Sequence, residues 1–355
     1  MDGASDGGYL QDVVTGCGPR APDGGGFRMT LSSAQPRPAC ALWRVLAAAV
    51  AGFAMWLSTA PASAQIGSDR YAAIVVDARN GNVLLAANAD EQRYPASLTK
   101  MMTLYMLFEA LREGRVQLET PIRMSEEAAS RPPSKLGLPA GRTLTVEQAI
   151  FALVTKSAND VAAAVGEHLA GTEERFGQVM TLRARALGMT RTTFRNASGL
   201  PDPDNVTTAR DMAVLGLRLV RDFPDRYRYF STVHFAWGRQ TIRNHNRMLG
   251  DYDGADGIKT GFIRDSGFNI VTSAMRDGVR LVGVTMGGSS WVERDRHMGS
   301  LLDQGFARVG VAPRPPSSLM VAGAGVVGAA RAASRAPTPR ATAARRATAA
   351  RVGSG

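Results

Sequence analysis

Cysteine is nearly absent: the 355-residue chain has two, Cys17 and Cys40. Both precede Ala64, where a removable leader is expected to end, so the chain from Gln65 onward has none. That excludes disulfide staples, thiolate nucleophiles and cysteine metal ligands from the body of the protein. Histidine is scarce as well. The four residues (His168, His234, His245 and His297) lie apart without ligand spacing; each reads as structural or surface, and the chemistry calls for no metal and no cofactor. Lysine is rarer than the basic composition suggests, because only four of the 42 Lys plus Arg residues are Lys: 100, 135, 156 and 259. Arginine stays protonated at any workable pH, whereas a buried lysine can give up its proton. Lysines retained in an arginine-rich chain therefore point to proton chemistry.

Acidic residues are missing from the C-terminal end. From Pro313 to Gly355 there are seven arginines and no Asp or Glu, so this segment carries most of the net charge of +11. A Pro/Ala/Arg composition cannot pack a core, and 313–355 is expected to be a disordered tail. Charge confined to such a tail argues against specific nucleic-acid binding, leaving at most weak association with an anionic membrane or wall surface. A long apolar run is also missing. The stretch from Val45 to about Leu57 is shorter than the roughly 20 residues that span a bilayer. It follows Arg37 and Arg44 and precedes Ala62-Ser63-Ala64, the layout of a secretory signal. Residues 29–64 therefore read as a signal peptide cut after Ala64, with export to the periplasm or the outer face of the inner membrane. Residues 1–28, rich in Gly and Asp, read as an unstructured extension, and Met29 as the more natural start.

The body, 65–312, mixes two periodicities. "YAAIVVDARNGNVLLAAN" is a pair of strands around Asn80-Gly81. Leu98–Gly114 has apolar residues at helical spacing, which puts Ser97 at a helix N-terminus. Thr145-Val-Glu-Gln148 has the form of a capping box and opens a helix to about Val154. "SAND" interrupts it, and 161–169 continues as another. Further helices are expected at 172–187, 208–221 and 291–308. "IRNHNRML" fits strand or turn. "FNIVTSAM" and "VRLVGVTMGG" are strands joined at Asp277-Gly278. Hairpin, helices, then strands and a final helix predict an α+β fold: an antiparallel sheet built from both chain ends, packed with a mainly helical subdomain.

Three motifs carry the chemistry. Ser97 and Lys100 form the chain's one S-x-x-K pair, and residues i and i+3 share a helix face, so the amine can reach the hydroxyl. Ser157-Ala158-Asn159 lies between two helices. Lys259-Thr260-Gly261 leads into a strand, where glycine would let a substrate backbone approach closely. Separately each has an ordinary structural explanation: an amphipathic surface lysine, a cap or turn, the start of a strand. Lys135 reads as a surface lysine.

Together, S-x-x-K, S-x-N and K-T-G in this order resemble the active-site set of the penicillin-recognising serine enzymes. With "YPASLTKMMT", "SANDVAAAVGEHLAG", "FRNASGLPDPDNVTTARDMAVL" and "ADGIKTGFIRDSGFNIVTSAMRDGVRLVGVTMGG", the chain looks like the D-alanyl-D-alanine carboxypeptidases over residues 68–308. The resemblance implies a β-lactamase/transpeptidase-like fold, peptidoglycan stem peptides as substrate, and β-lactam antibiotics as covalent inhibitors. It implies Ser97 as nucleophile, Lys100 as base, and Ser157 as proton carrier to the leaving amine. Asn159 would hydrogen-bond the substrate amide or hold Lys100. The oxyanion hole would be the N–H groups of Ser97 and Phe262, and Lys259, Thr260 and Arg294 would meet the terminal carboxylate, with Arg296 as the alternative to Arg294. Two departures stand out: Ile263 where many members have Thr, and no C-terminal β-domain or anchoring helix after Val311. Rival readings are an endopeptidase acting on cross-links, a β-lactamase, for which the deacylating glutamate motif is not found, a polycationic binding protein and an inactive binding module.

Overall fold

The computed structural model describes residues 68–312 and residue 314. The expected extension, the signal segment and the tail other than Arg314 lie outside the described residues. Arg314 itself pairs with Asp253 and with Asp277, the latter at 2.7 Å.

The element order is strands β1 (Ala72–Asp77) and β2 (Val83–Ala87), then helices α1 (Lys100–Arg112) and α2 (Glu126–Ser130), the latter following a short strand β3 (Pro121–Arg123). Strand β4 (Thr143–Thr145) leads into α3 (Val146–Phe151), α4 (Asn159–Ala170), α5 (Glu173–Leu187) and α6 (Ala209–Asp222). The chain closes with β5 (His234–Trp237), β6 (Gln240–Arg243), α7 (Met248–Asp251), β7 (Ala255–Ile263), β8 (Gly267–Arg276), β9 (Val279–Gly288) and α8 (Trp291–Arg308). Five strands form one antiparallel sheet in the order β2-β1-β9-β8-β7. The N-terminal hairpin thus pairs with the C-terminal strands, as the element pattern predicts.

The sheet's two faces are read from alternate residues. Ile74, Val76, Val271, Val282 and Val284 join the larger core with α1 and its neighbours, whereas Val75, Ile270, Leu281 and Ala274 pack under Met298, Leu302 and Phe306 of α8. The capping box forms at Thr145 and Gln148. The sequence pattern misses two small hairpins, β3–β4 and β5–β6; strands of three or four residues are too short for alternation to register. "IRNHNRML" divides: its first residues end β6, a turn follows, and α7 starts at Met248. Lys135 is half-buried rather than a free surface group, its Nζ donating to the Ala129 carbonyl at 3.1 Å.

Asp160, in the first turn of α4, fastens the loop that will roof the site. Its carboxylate accepts the N–H groups of Leu136 (2.9 Å), Gly137 (2.8 Å) and Val161 (2.9 Å) and is fully buried. Asp160→Ala removes the bonds from a carboxylate to the two loop amides and should cost about 2–5 kcal/mol, since a hydrogen bond to a charged group is worth about 1.5–3. The denaturant midpoint measures this, and an unchanged midpoint would show that the loop is held by something else.

Candidate active site

Ser97 stands not on an α-helix but in a 3₁₀ turn, Ala96–Thr99, immediately ahead of α1. Two features bend the chain there. Ala96 takes a φ of 50°, in the left-handed region that costs an alanine energy. Gly199 comes so close that any Cβ on it would overlap the Ala96 carbonyl. On the sheet side the turn meets Gly261. A Cβ there would lie 3.0 Å from the Pro95 carbonyl, 3.1 Å from Ser97 N and 3.2 Å from Leu98 N. This corrects the sequence reading. Lys259-Thr260-Gly261 lies inside β7 rather than ahead of a strand, and the missing side chain of Gly261 leaves room for the serine turn, which packs directly against it.

Lys100 is the most buried cation of the site, with no exposed surface. Its Nζ lies 3.1 Å from Ser97 Oγ, 2.7 Å from Asn159 Oδ1 and 2.6 Å from the Ser198 carbonyl oxygen. Burial, and next the charge of Lys259, hold its pKa well below the usual lysine value, with Glu173 and Asp160 opposing. Two of its neighbours can only accept, so a neutral amine spends both N–H groups on them. Its lone pair is then left facing the Ser97 hydroxyl.

The Ser157–Asn159 segment owes its shape to a helix that widens at its end. After α3 the chain makes a π-helical turn, Ala152–Lys156, and stops at Ser157, which is left-handed at φ 57°. Single π turns and such strained residues are frequent at functional sites. Ser157 is 4% exposed, and its Oγ has no hydrogen-bond partner among the described residues. Asn159 begins α4. Its Oδ1 takes Lys100, while its Nδ2 donates to the Pro132 carbonyl at 2.9 Å and its N–H to the Ser134 carbonyl at 2.7 Å.

Lys259 projects from β7 on the same face as Gly261, and its Nζ donates to the Thr260 carbonyl at 2.9 Å. Burial, and then Arg294, pull its pKa down to about 7. Arg294, from the first turn of α8, is 5% exposed. It donates twice to Asp295 Oδ1 (2.8 and 2.6 Å) and once to the Asn269 carbonyl (3.3 Å). Arg294, not Arg296, reaches the cleft.

Between these segments runs a cleft of about 860 Å³. Ser97, Ser157 and Asn159 line one wall, and Thr260 to Ile263 the other, with Phe262 exposed and its ring tilted against Phe268, centroids 4.3 Å apart. Among the described residues, four arginines (243, 247, 264 and 294) line it and no carboxylate does, a charge pattern that favours an anionic ligand. His245, read from sequence as structural or surface, lines it too. Burial and the cations of Lys259, Lys156, Lys100 and Arg294 push its pKa down to about 4, so it is neutral at pH 7.

Two participants carry no sequence motif. The Ser198 carbonyl reaches Lys100 because Asn196 Oδ1 accepts the N–H groups of Ser198 (3.2 Å) and Gly199 (2.7 Å), folding a tight turn. The Asn-x-x-Gly spacing is a turn signal, but it does not say what the turn's carbonyl touches. The other is Asn269, the third residue of β8.

A family model described as D-alanyl-D-alanine carboxypeptidase matches residues 58–290. The D-alanyl-D-alanine carboxypeptidase DacA of Haemophilus influenzae is 34% identical over 248 residues, which are 68% of this chain and 63% of that relative. The chain thus spans somewhat less than two thirds of that protein's length. Among solved structures, penicillin binding protein 5 from Haemophilus influenzae superposes with a TM-score of 0.65 at 33% identity, covering 66% of this chain and 70% of that one. Penicillin-Binding Protein D2 from Listeria monocytogenes, solved in a cefotaxime-bound form, superposes with a TM-score of 0.61 at 30% identity, covering 66% of this chain and 96% of that one. With the transpeptidase-like fold and the three motifs drawn onto one cleft, the chain belongs to the D-alanyl-D-alanine carboxypeptidase family.

Proposed function

We propose that this chain is a serine D-alanyl-D-alanine carboxypeptidase that removes the terminal D-alanine from peptidoglycan stem pentapeptides and is acylated by β-lactams. The observation that carries the reading is the buried amine of Lys100, 3.1 Å from Ser97 Oγ and depressed in pKa by burial and by Lys259. A serine hydroxyl is a weak nucleophile until a base takes its proton, and this amine is in reach and inclined to be neutral.

In the reaction, Ser97 Oγ attacks the carbonyl carbon between the two D-alanines as its proton passes to Lys100 Nζ. The oxyanion is received by the N–H groups of Ser97 and Phe262, on the two backbone segments that touch at Gly261; one such donor is worth about 3–4 kcal/mol in the transition state. The C–N bond then breaks and the departing D-alanine amine takes a proton through Ser157, whose buried hydroxyl has no other partner among the described residues. Water attacks the acyl ester, with the amine again acting as base, and frees the shortened peptide and Ser97. The substrate backbone would run along β7, the edge strand of the sheet, whose outer side can accept an added strand. The terminal carboxylate meets the Thr260 hydroxyl, Lys259 and Arg294.

Wild type should take up a fluorescent penicillin covalently and shorten a synthetic pentapeptide by one D-alanine, read by mass. Ser97→Ala and Lys100→Arg should do neither, because the second keeps the charge and loses the base. The acylation rate should rise with pH as Lys100 loses its proton. Peptide kcat/KM should fall again above about pH 7, where Lys259 loses the charge that holds the carboxylate. Labelling of Ser97→Ala at the wild-type level would remove the nucleophile assignment.

Arg294→Ala deletes a charge-assisted contact worth about 1.5–3 kcal/mol, so turnover of the free-carboxylate peptide should drop roughly tenfold to a hundredfold. Acylation by a neutral ester should be nearly unaffected. Wild-type peptide turnover in that variant would rule out Arg294 as the carboxylate reader.

Export follows from where such a substrate lies, and we infer a mature chain that begins at Gln65. The N-terminal sequence of the secreted protein tests this; a form that still contains Trp56 would instead make the apolar run an anchor.

A further inference from the structure

Asn269 is the third residue of β8, in a strand environment where asparagine is disfavoured, and it is completely buried. A buried amide is tolerated only when its hydrogen bonds are made, and here they tie the segment ahead of the serine turn to β9. Its Nδ2 donates to the carbonyls of Tyr94 (3.0 Å) and Pro95 (3.3 Å), the two residues that lead into the serine turn. Its Oδ1 accepts the N–H of Gly287 at 3.0 Å, beside the register shift between Phe268 and Ile270 where β8 and β9 slip past one another. Its main-chain carbonyl accepts Arg294 Nη1 at 3.3 Å. On the other side of the strand pairing it lies directly opposite Gly261 of β7.

Gly261 and Asn269 therefore act on the serine turn as complements. The glycine sets how closely the turn approaches the sheet, by leaving out a side chain. The asparagine sets where along the sheet the turn sits, by drawing in two of its carbonyls. Steric contact alone resists approach but does not fix lateral position; directed hydrogen bonds do. Neither S-x-x-K, S-x-N nor K-T-G includes this residue.

We propose that Asn269 is a positioning residue that registers Ser97 Oγ against the Lys259–Gly261 strand and against Arg294. The inference rests on the carboxypeptidase reading above. It makes one residue, through its side chain toward the serine turn and its main-chain carbonyl toward Arg294, responsible for the distance between the nucleophile and the group that receives the substrate's carboxylate.

The test compares Asn269→Ala and Asn269→Asp with Val284→Ala, a buried core change on β9 away from the cleft. Asn269→Asp keeps the shape and the acceptor for Gly287 N–H but removes both donors to Tyr94 and Pro95. For each full-length variant, three quantities are measured: the thermal midpoint, the rate of acylation by a fluorescent penicillin, and kcat and KM on the pentapeptide. Displacement of a reacting atom by about 1 Å costs on the order of a hundredfold in rate. Acylation and kcat of both Asn269 variants should therefore fall roughly ten- to a hundredfold, with KM nearly unchanged. Val284→Ala should lose thermal stability but keep the wild-type kcat. If Asn269→Ala does not fold, the isosteric Asn269→Asp is read alone. Folded Asn269 variants that acylate at the wild-type rate overturn the proposal, as does a Val284→Ala protein that loses kcat in the same proportion for the same loss of stability. An inactive wild type would sink the carboxypeptidase reading and this inference together, whereas an active wild type with unimpaired Asn269 variants sinks this one alone.

Discussion

The amine of Lys100 is kept wholly out of water, and a charge in that position is expensive unless it is matched. What surrounds it is three neutral oxygens: a hydroxyl, a side-chain amide and a main-chain carbonyl. A carboxylate in any of those positions would hold the ammonium form and remove the base. Much of the fold can be read as the means of assembling this neutral cage. Ser97 and Lys100 come from one turn, Asn159 from the start of α4, and the Ser198 carbonyl from a turn nearly a hundred residues away in sequence. Each contributor is itself tied down. Asn159 bonds to the Pro132 and Ser134 carbonyls, the 196–199 turn is closed by Asn196, and Ala197 N–H is held by Glu173 at 2.9 Å.

The charges one layer further out tune the amine rather than bond to it. Lys259 disfavours the ammonium, while Glu173 and Asp160 favour it. Both acids are occupied elsewhere: Glu173 with Arg131 at 2.7 Å and with Ala197 N–H, Asp160 with three backbone amides. They therefore act on Lys100 through space and cannot take its proton through a direct bond. The same segregation appears at the cleft surface, which among the described residues is lined by arginines and by no acid. Aspartate and glutamate serve to hold loops, and cations face the place where an anion would lie.

How much of this was legible in sequence depends on how local each relation is. The Ser97–Lys100 pair and the Thr145 capping box were legible because three residues along a helix or turn are neighbours whatever the rest of the chain does. The long helices and the β8–β9 hairpin were legible because their apolar periods run for several residues. The site's remaining parts are non-local. The Ser198 carbonyl is a backbone group with no residue type to mark it, and Asn269 is one polar residue of several in β8 until its partners at Tyr94 and Pro95 are seen. The three motifs and their order carried the family resemblance, but not the cause of each residue. Gly261 is the instructive case: the residue was identified and its neighbour was not, since a sequence shows that space is needed without showing what fills it.

The two faces of β7 explain why that neighbour has to be the serine turn. Side chains alternate along a strand, so Lys259 and Gly261 point to one side while Thr260 and Phe262 point to the other. The first pair faces the buried machinery: Lys259 has 1% exposure, and Gly261 lies against Pro95, Ser97 and Leu98. The second pair borders the open cleft, where Phe262 is 55% exposed. One strand thus turns a charge and a gap inward and a hydroxyl and an aromatic ring outward within four consecutive residues. A shift of register by one would exchange all four, taking the lysine away from the buried machinery and putting a phenylalanine against the serine turn. Pairing along β8, with Val271 opposite Lys259 and Asn269 opposite Gly261, prevents this. Catalytic geometry and sheet register are in this sense the same constraint, met by the same hydrogen bonds.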